Sequence, residues 1–273
     1  MLEGAPRAKL RGMDLELDGK MALVCGASQG LGLAIGEALA AEGCRVGLLA
    51  RNGAKLARQV AALQGQGRQA VALAADMGDW AQVAAALAKL RDGFGAPHIL
   101  VNNTGGPPLI DVTKVDAELW RAQFEAMVLN QMRLTEAVLP AMRQAGFGRI
   151  LSVASTSVVE PFAGLAISNA LRAALANWMK TLASQVAPDG VTVNMLLPGS
   201  FATERIDKMN AAEAAAQGVA ISEIVASSTA EIPVGRYGEP REFAAVAAFL
   251  ASPRASYVTG QMIRIDGGST RSV

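Results

Sequence analysis

The first residues suited to chemistry are glycines. The run Val24-Cys25-Gly26-Ala27-Ser28-Gln29-Gly30-Leu31-Gly32 follows an apolar stretch and opens a helix-like one. A strand that turns through glycines into a helix aims unpaired backbone N–H groups, and the positive end of the helix dipole, at a phosphate. Gly26 permits the tight turn, Gly30 lets a pyrophosphate approach the backbone, and Gly32 lets helix and sheet pack closely. Ser28, Gln29 and Leu31 complete the cradle. A second chemical position is Arg51, in Ala50-Arg51-Asn52. In a dinucleotide site an acid there binds the adenosine ribose, whereas a base accommodates a 2′-phosphate. Arg51, with Ser28 adding a hydroxyl, therefore points to NADP(H) in preference to NAD(H); the other reading is a solvated arginine at a strand end. Asp76-Met77 falls where an adenine edge would lie, or else Asp76 caps a helix.

The elements that must position these residues are legible in the hydrophobic pattern. Short Val/Ile/Leu-rich runs at 21–24, 45–50, 70–74, 99–101, 149–153, 191–197 and 262–265 read as strands. Between them, alanine-rich stretches at 31–42, 53–64, 79–92, 116–145, 164–186 and 239–251 have helical spacing. Strands alternating with helices predict an α/β protein: one Rossmann-type domain over 14–273, a doubly wound parallel seven-stranded sheet with helices on both faces. Ligands of such a sheet bind at the carboxyl ends of its strands. Residues 1–13 read as a flexible extension.

Further along, the chain carries Asn102-Asn103-Thr104-Gly105, an Asn at 130 in the long fourth helix, Pro198-Gly199 with Thr203, Gly235-Arg236-Tyr237-Gly238-Glu239-Pro240, and Asp266-Gly267-Gly268. Together with the glycine turn, these six ordered motifs resemble the short-chain dehydrogenase/reductase family over roughly residues 14–269. Thr104 stands where alanine is usual. The resemblance implies an oxidoreductase that transfers hydride between a nicotinamide cofactor and a small-molecule substrate. It also implies that Asn103, Thr104, Gly105, Pro198, Gly199 and Thr203 line the cofactor site.

The catalytic set departs from that family. The family uses a serine, a tyrosine about thirteen residues later, a lysine four after that, and the helix-four asparagine. Ser155 is the serine, and Asn130 stands for the asparagine, where it either positions a water or caps a kink. The other two positions hold Ser168 and Arg172. A serine hydroxyl has no pKa near neutrality and is a poor general acid. An arginine stays protonated and relays no proton, yet its planar fork, one helical turn from Ser168, can grip the nicotinamide ribose or stabilise a substrate oxyanion. Lys180 lies roughly 12 Å further along the helix, too far to stand in for the lysine. Three readings follow: reduction of an apolar carbonyl compound with proton delivery shared by Ser155, Ser168 and water; reduction of an enone-like C=C bond through an enolate; or a non-catalytic NADP-binding sensor or partner subunit. Glu160, in the loop after Ser155, is an alternative acid or a solvated loop residue, and Asn169 is an amide donor beside Ser168 or a structural one.

Between Pro198 and Pro233 no strand signal occurs, and two short helices joined near Gly218 are expected. The segment at about 200–232 would form a substrate lid, or its apolar face would make a dimer contact. With Leu109 and Phe162 nearby, it suggests an apolar or medium-sized substrate. The alanine-rich fourth and fifth helices imply a homotetramer or homodimer, with Arg264 and residues 270–273 as further contacts.

Composition narrows the classes. Net charge is +1 over 273 residues, which implies no nucleic-acid partner. No run is long and apolar enough for a membrane span, and the first residues lack a secretory apolar core. The two cysteines, Cys25 and Cys44, are expected as buried, reduced thiols in a cytoplasmic protein. One histidine, His98, without a Cys/His cluster argues against a metal site and for a structural role.

Overall fold

The computed structural model describes residues 13–272. Nearly all of the expected 1–13 extension, and Val273, lie outside them. Strands β1 (Met21–Cys25), β2 (Arg45–Ala50), β3 (Ala70–Ala74), β4 (Ile99–Asn102), β5 (Gly148–Val153), β6 (Val191–Pro198) and β7 (Met262–Ile265) form one sheet. All neighbouring pairs are parallel, in the order β3-β2-β1-β4-β5-β6-β7. The order reverses between β1 and β4, so the crevice for a ligand opens beyond Cys25 and Asn102.

Because strand side chains alternate, β1 feeds two cores. Ala22 and Val24 face α1 (Gly30–Ala41), α2 (Gly53–Gly65) and α9 (Pro240–Ala251), packing with Ile35, Leu56 and Phe243. Met21, Leu23 and Cys25 face α3 (Trp80–Phe94), α5 (Asn130–Gln144) and α6 (Ala166–Val186), packing with Leu87, Leu134 and Leu175. Each such fully buried leucine contributes on the order of 1.5–3 kcal/mol. Side-chain caps begin several helices: Asn52 accepts from Lys55 N at 2.9 Å and Asp79 from Gln82 N at 3.2 Å. Such a cap contributes about 1 kcal/mol.

Two expectations change. The helix expected over 116–145 is present but not of one repeat: α4 (Ala117–Phe124) passes through a π turn, Glu125–Leu129, into α5. The turn is spanned by an ion pair, Arg133 Nη1 to Glu125 Oε1 at 2.9 Å, and followed at once by Asn130. The cap of α3 is Asp79, not Asp76; Asp76 accepts from Gly78 N instead, at 2.9 Å. The 200–232 segment is helical as expected and longer than the pattern suggested, with α7 (Glu204–Gln217) and α8 (Ile221–Ala230) separated at left-handed Gly218.

Cys25 and Cys44 are free and buried, and burial pushes both thiols up to about 12, with Glu42 adding to the effect at Cys44. Such thiols carry almost no thiolate near neutral pH. The native chain is expected to resist a chromogenic disulfide reagent at pH 8 and to release two equivalents after unfolding; rapid labelling of the folded chain would mean that these faces open more easily than their packing implies.

Candidate functional site

The crevice begins at the glycine turn. Gly26 has φ +60° and Gly30 φ +58°, values that side-chain-bearing residues adopt only under strain. Asn103, just past β4, leans into the turn and donates from Nδ2 to Gly26 O at 3.4 Å. Unlike α2, α3 and α4, helix α1 has no side-chain cap, and no acid stands in its first turn. Among the described residues its leading N–H groups have no side-chain acceptor, which is the arrangement a phosphate requires.

Thr203 reaches this turn from the other side. Its Cγ2 would lie 3.6 Å from a Cβ at Gly30. Its hydroxyl donates to Phe201 O at 3.3 Å rather than capping α7. Gly199 follows β6 and packs where a Cβ would meet Asp266 Cα at 2.8 Å, joining Pro198-Gly199 to the Asp266-Gly267-Gly268 turn. Thr104 is tucked in with its hydroxyl buried and unpartnered. Arg51 is exposed past β2 and forms no ion pair among the described residues. Beside it stands a group the sequence did not single out: Lys55 Nζ donates to Gln29 Oε1 at 2.5 Å and pairs with Glu204 at 2.7 Å. Its signal was its place one turn into α2, after the Asn52 cap.

At the end of β5, Ser155 accepts from Ser157 N at 3.1 Å. Helix α6 brings Ser168 and Arg172 against the same strand end. Arg172 donates from Nε to Ser168 Oγ at 3.1 Å and from Nη1 to Val153 O at 2.8 Å. Ser168 is 5% and Arg172 8% exposed, so this is a desolvated cation held by neutral oxygens. Burial, and secondarily the charge of Arg205, lowers the guanidinium to about 10, still protonated at neutral pH. Arg205 is a second residue that the sequence reading passed over. Its guanidinium lies against Gly106, in the space a side chain there would fill.

The remaining candidates are placed elsewhere. Asn130 is fully buried, but its Nδ2 donates to Met77 O at 2.8 Å and its Oδ1 accepts from Arg133 at 3.2 Å, so the amide is spent on a tether to the Asp76-Met77 loop. Glu160 accepts from the N–H groups of Arg271 and Ser272 at 3.0 and 2.9 Å, so the terminal segment engages it. The same segment engages Arg264, which donates to Ser272 O within the chain. Asn169 donates to Phe162 O. Tyr237 donates to Asn210 Oδ1 at 3.3 Å, and Tyr257 is fully exposed. Lys180 donates to Gly260 O at 2.9 Å. His98 accepts from Met21 N at 3.1 Å, a structural bond. Among the described residues no cluster of His, Cys, Asp and Glu fits a metal ion, and no helix is long and apolar enough to cross a membrane.

A parallel sheet with an uncapped, glycine-lined helix start at its switch point defines a dinucleotide-binding α/β protein. The chain belongs to the short-chain dehydrogenase/reductase family of oxidoreductases. The family model described as enoyl-(acyl carrier protein) reductase matches residues 26–270. The 3-oxoacyl-(acyl-carrier-protein) reductases FabG of Vibrio cholerae and Escherichia coli are 34% and 35% identical, over 93% of this chain and 98% of theirs. The L-sorbose reductase of Gluconobacter frateurii, solved with NADPH and L-sorbose, superposes with a TM-score of 0.91 at 33% identity, covering 96% of this chain and all of that one. YwfH, an NADPH-dependent reductase involved in bacilysin biosynthesis, superposes at 0.89 with 31% identity, covering 93% and 99%.

Proposed function

We propose that the protein is an NADPH-dependent reductase of small or medium-sized carbonyl compounds, in which a buried arginine and two serines stabilise the substrate oxygen as it gains negative charge. The observation that carries this reading is the Arg172 Nε to Ser168 Oγ bond at 3.1 Å. The guanidinium occupies a lone pair of the hydroxyl, which leaves the O–H free to donate to a ligand. A hydrogen bond backed by a charge in a water-poor site is about twice as strong as a neutral one. On this reading Ser168 and Arg172 stand at the tyrosine and lysine positions of the family, and Ser155 completes the oxyanion site. Asn130 then acts through its tether to Met77 O, as a positioning residue rather than a catalytic one.

The residues present fit the cofactor. The glycine turn, with Ser28, Gln29, Leu31 and Thr203, would hold its pyrophosphate, and Arg51 its 2′-phosphate. Asp76 and Met77 would border the adenine, and Asn103, Thr104, Gly105, Pro198 and Gly199 the nicotinamide end. Bound there, NADPH supplies the hydride. The proton at oxygen comes from water through the serine hydroxyls, since Glu160, Tyr237 and Lys180 are committed elsewhere. That same shortage of an acid favours a second reading, hydride addition to an enone, where an enolate needs a stabilised oxygen and takes its proton at carbon. Helices α7 and α8 serve as the substrate lid in both, and the α4–α6 surface as the contact of a homodimer or homotetramer.

The test is NADPH oxidation against paired ketones and enones of matched chain length. Ketone turnover to the alcohol is expected; turnover of enones alone selects the second reading, and tight NADPH binding without turnover of either sinks both. Arg51→Asp is expected to raise the NADPH Kd by about 10- to 100-fold by replacing a charge-assisted bond with repulsion. An unchanged ratio of NADPH to NADH affinity would remove Arg51 from the site.

A further inference from the structure

Lys55 joins three separate segments at the phosphate end of the crevice. Its backbone is fixed in the first turn of α2, where its N–H donates to Asn52 Oδ1 at 2.9 Å, just past Arg51. From there Nζ reaches Gln29 Oε1 at 2.5 Å, in the glycine turn beside Ser28. It also reaches Glu204 Oε1 at 2.7 Å, in the first turn of α7. The pair spans 149 positions of sequence. It ties the start of the lid to the same turn that Thr203 touches at Gly30. The Lys55 side chain is 23% exposed and that of Glu204 53%. An ammonium largely covered at the phosphate end is thus held by one neutral amide and one half-exposed carboxylate. An ion pair of that kind contributes little and changes partners easily.

We propose that Lys55 is a second cation of the 2′-phosphate site, held by Glu204 of the lid until the cofactor claims it, so that NADPH, and not NADH, releases the first turn of α7. The inference rests on the NADPH reading above. A phosphomonoester carries close to two negative charges where Glu204 carries one, and it is the stronger partner for an ammonium. The two anions repel one another across Lys55, and the half-exposed carboxylate is the one free to turn away into water. Lys55 can change partners without moving its backbone, because its stem is flexible and its N–H stays on Asn52. NADH offers a ribose hydroxyl in place of the phosphate, brings no charge to compete, and leaves the pair intact. A lid that loosens with the phosphorylated cofactor alone couples the choice of cofactor to the access of substrate.

The probes are 2′,5′-ADP and 5′-AMP, which differ only in the 2′-phosphate, with NADPH and NADH beside them. Dissociation constants are read by calorimetry. Amide hydrogen exchange is followed over residues 204–210, where Asp207 N–H donates to Thr203 O at 3.1 Å. Lys55→Met is expected to raise the Kd of 2′,5′-ADP and NADPH by about 10-fold, and that of 5′-AMP and NADH by about twofold or less. Glu204→Gln is expected to lower the first two by about threefold and to leave the others unchanged. In the double variant that gain should vanish, because Glu204 competes through Lys55. A gain that persists without Lys55 means plain repulsion between Glu204 and the ligand, and overturns the exchange of partners. In the wild type 2′,5′-ADP should speed exchange at the start of α7 and 5′-AMP should not; Glu204→Gln should show the faster exchange with no ligand. Equal exchange with both ligands overturns the release. A merely structural pair would lower the melting temperature of both variants with the NADPH to NADH affinity ratio unmoved. If the wild type binds 2′,5′-ADP no better than 5′-AMP, the NADPH reading fails and this inference with it. A phosphate preference that both substitutions leave untouched ends the inference alone.

Discussion

Replacing Arg172 by methionine is expected to lower kcat by about 10²- to 10³-fold, the range seen when one preorganised oxyanion donor is removed. Methionine keeps the length and much of the volume, so the change tests the charge and the fork. Three things are lost together. In the proposed reaction the substrate oxygen loses the one cation buried at the end of β5 among the described residues. Ser168 loses the 3.1 Å donor that orients its hydroxyl. Helix α6 loses its 2.8 Å tether to Val153 O, leaving a buried carbonyl to find another partner. A purely structural role would appear as a lower melting temperature with kcat preserved in the folded fraction; a catalytic role appears as lost kcat at a modest change in NADPH Kd. Arg172→Lys separates charge from geometry, since an ammonium keeps the former and cannot make both bonds in one plane; partial recovery of kcat is expected. The sign of the pH dependence follows from burial. The folded guanidinium is held down to about 10, so it is charged below that value and neutral above it. Turnover that needs the cation should be flat through neutrality and fall as the pH rises through about 10, and methionine should abolish that alkaline limb. A wild-type limb near neutral pH would point to a different group and take Arg172 out of the role.

The fold was readable because the five inner strands β2, β1, β4, β5 and β6 are buried on both faces along nearly their whole length. Runs such as Leu23-Val24 and Leu48-Leu49 have no polar partner position, and they stop where glycine, asparagine or arginine begins. Strand ends that carry the chemistry could therefore be placed to within a residue or so. Long-range pairing was less legible. Nothing local told whether Asn130 faces the serines or Met77, because an inserted π turn re-aims the helix and sequence spacing is computed on an unbroken repeat. Glu160 looked like a loop acid until the terminal segment, more than a hundred residues later, claimed it. Arg205 and Lys55 were passed over for a similar reason. Each is a single cation on a polar helix turn, and only the tertiary fold puts one against Gly106 and the other against Gln29. What local pattern does register is the need for a glycine where backbones touch, and there sequence and structure coincide.

That coincidence gives the second large effect. Gly32→Ala, the addition of one methyl group, is expected to raise the NADPH Kd by about 10- to 100-fold. Gly32 lies in the first turn of α1 with ordinary helical backbone, so an alanine there carries no conformational penalty. Its constraint is space: a Cβ would meet the Gly26 carbonyl oxygen, and Asn103 Nδ2 at 2.7 Å. The first obstacle is backbone and cannot rotate away. Helix α1 would have to lift from the turn, separating the N–H groups that await the pyrophosphate from the strand end that aims them. Overpacking of this kind costs roughly 1–3 kcal/mol, which sets the size of the expected change. Gly93→Ala is the matching control. It too is a helical glycine, in α3, but nothing lies within 4 Å of its Cβ position. There the same substitution is expected to stabilise the fold by about 0.5–1 kcal/mol through helix propensity alone, with NADPH affinity unaltered. Titration by cofactor fluorescence and thermal unfolding of both variants reads the two effects separately. If Gly32→Ala bound NADPH as the wild type does, the contact between glycine turn and helix would not be what shapes the phosphate site, and α1 would have to be aimed by its packing on α9 instead.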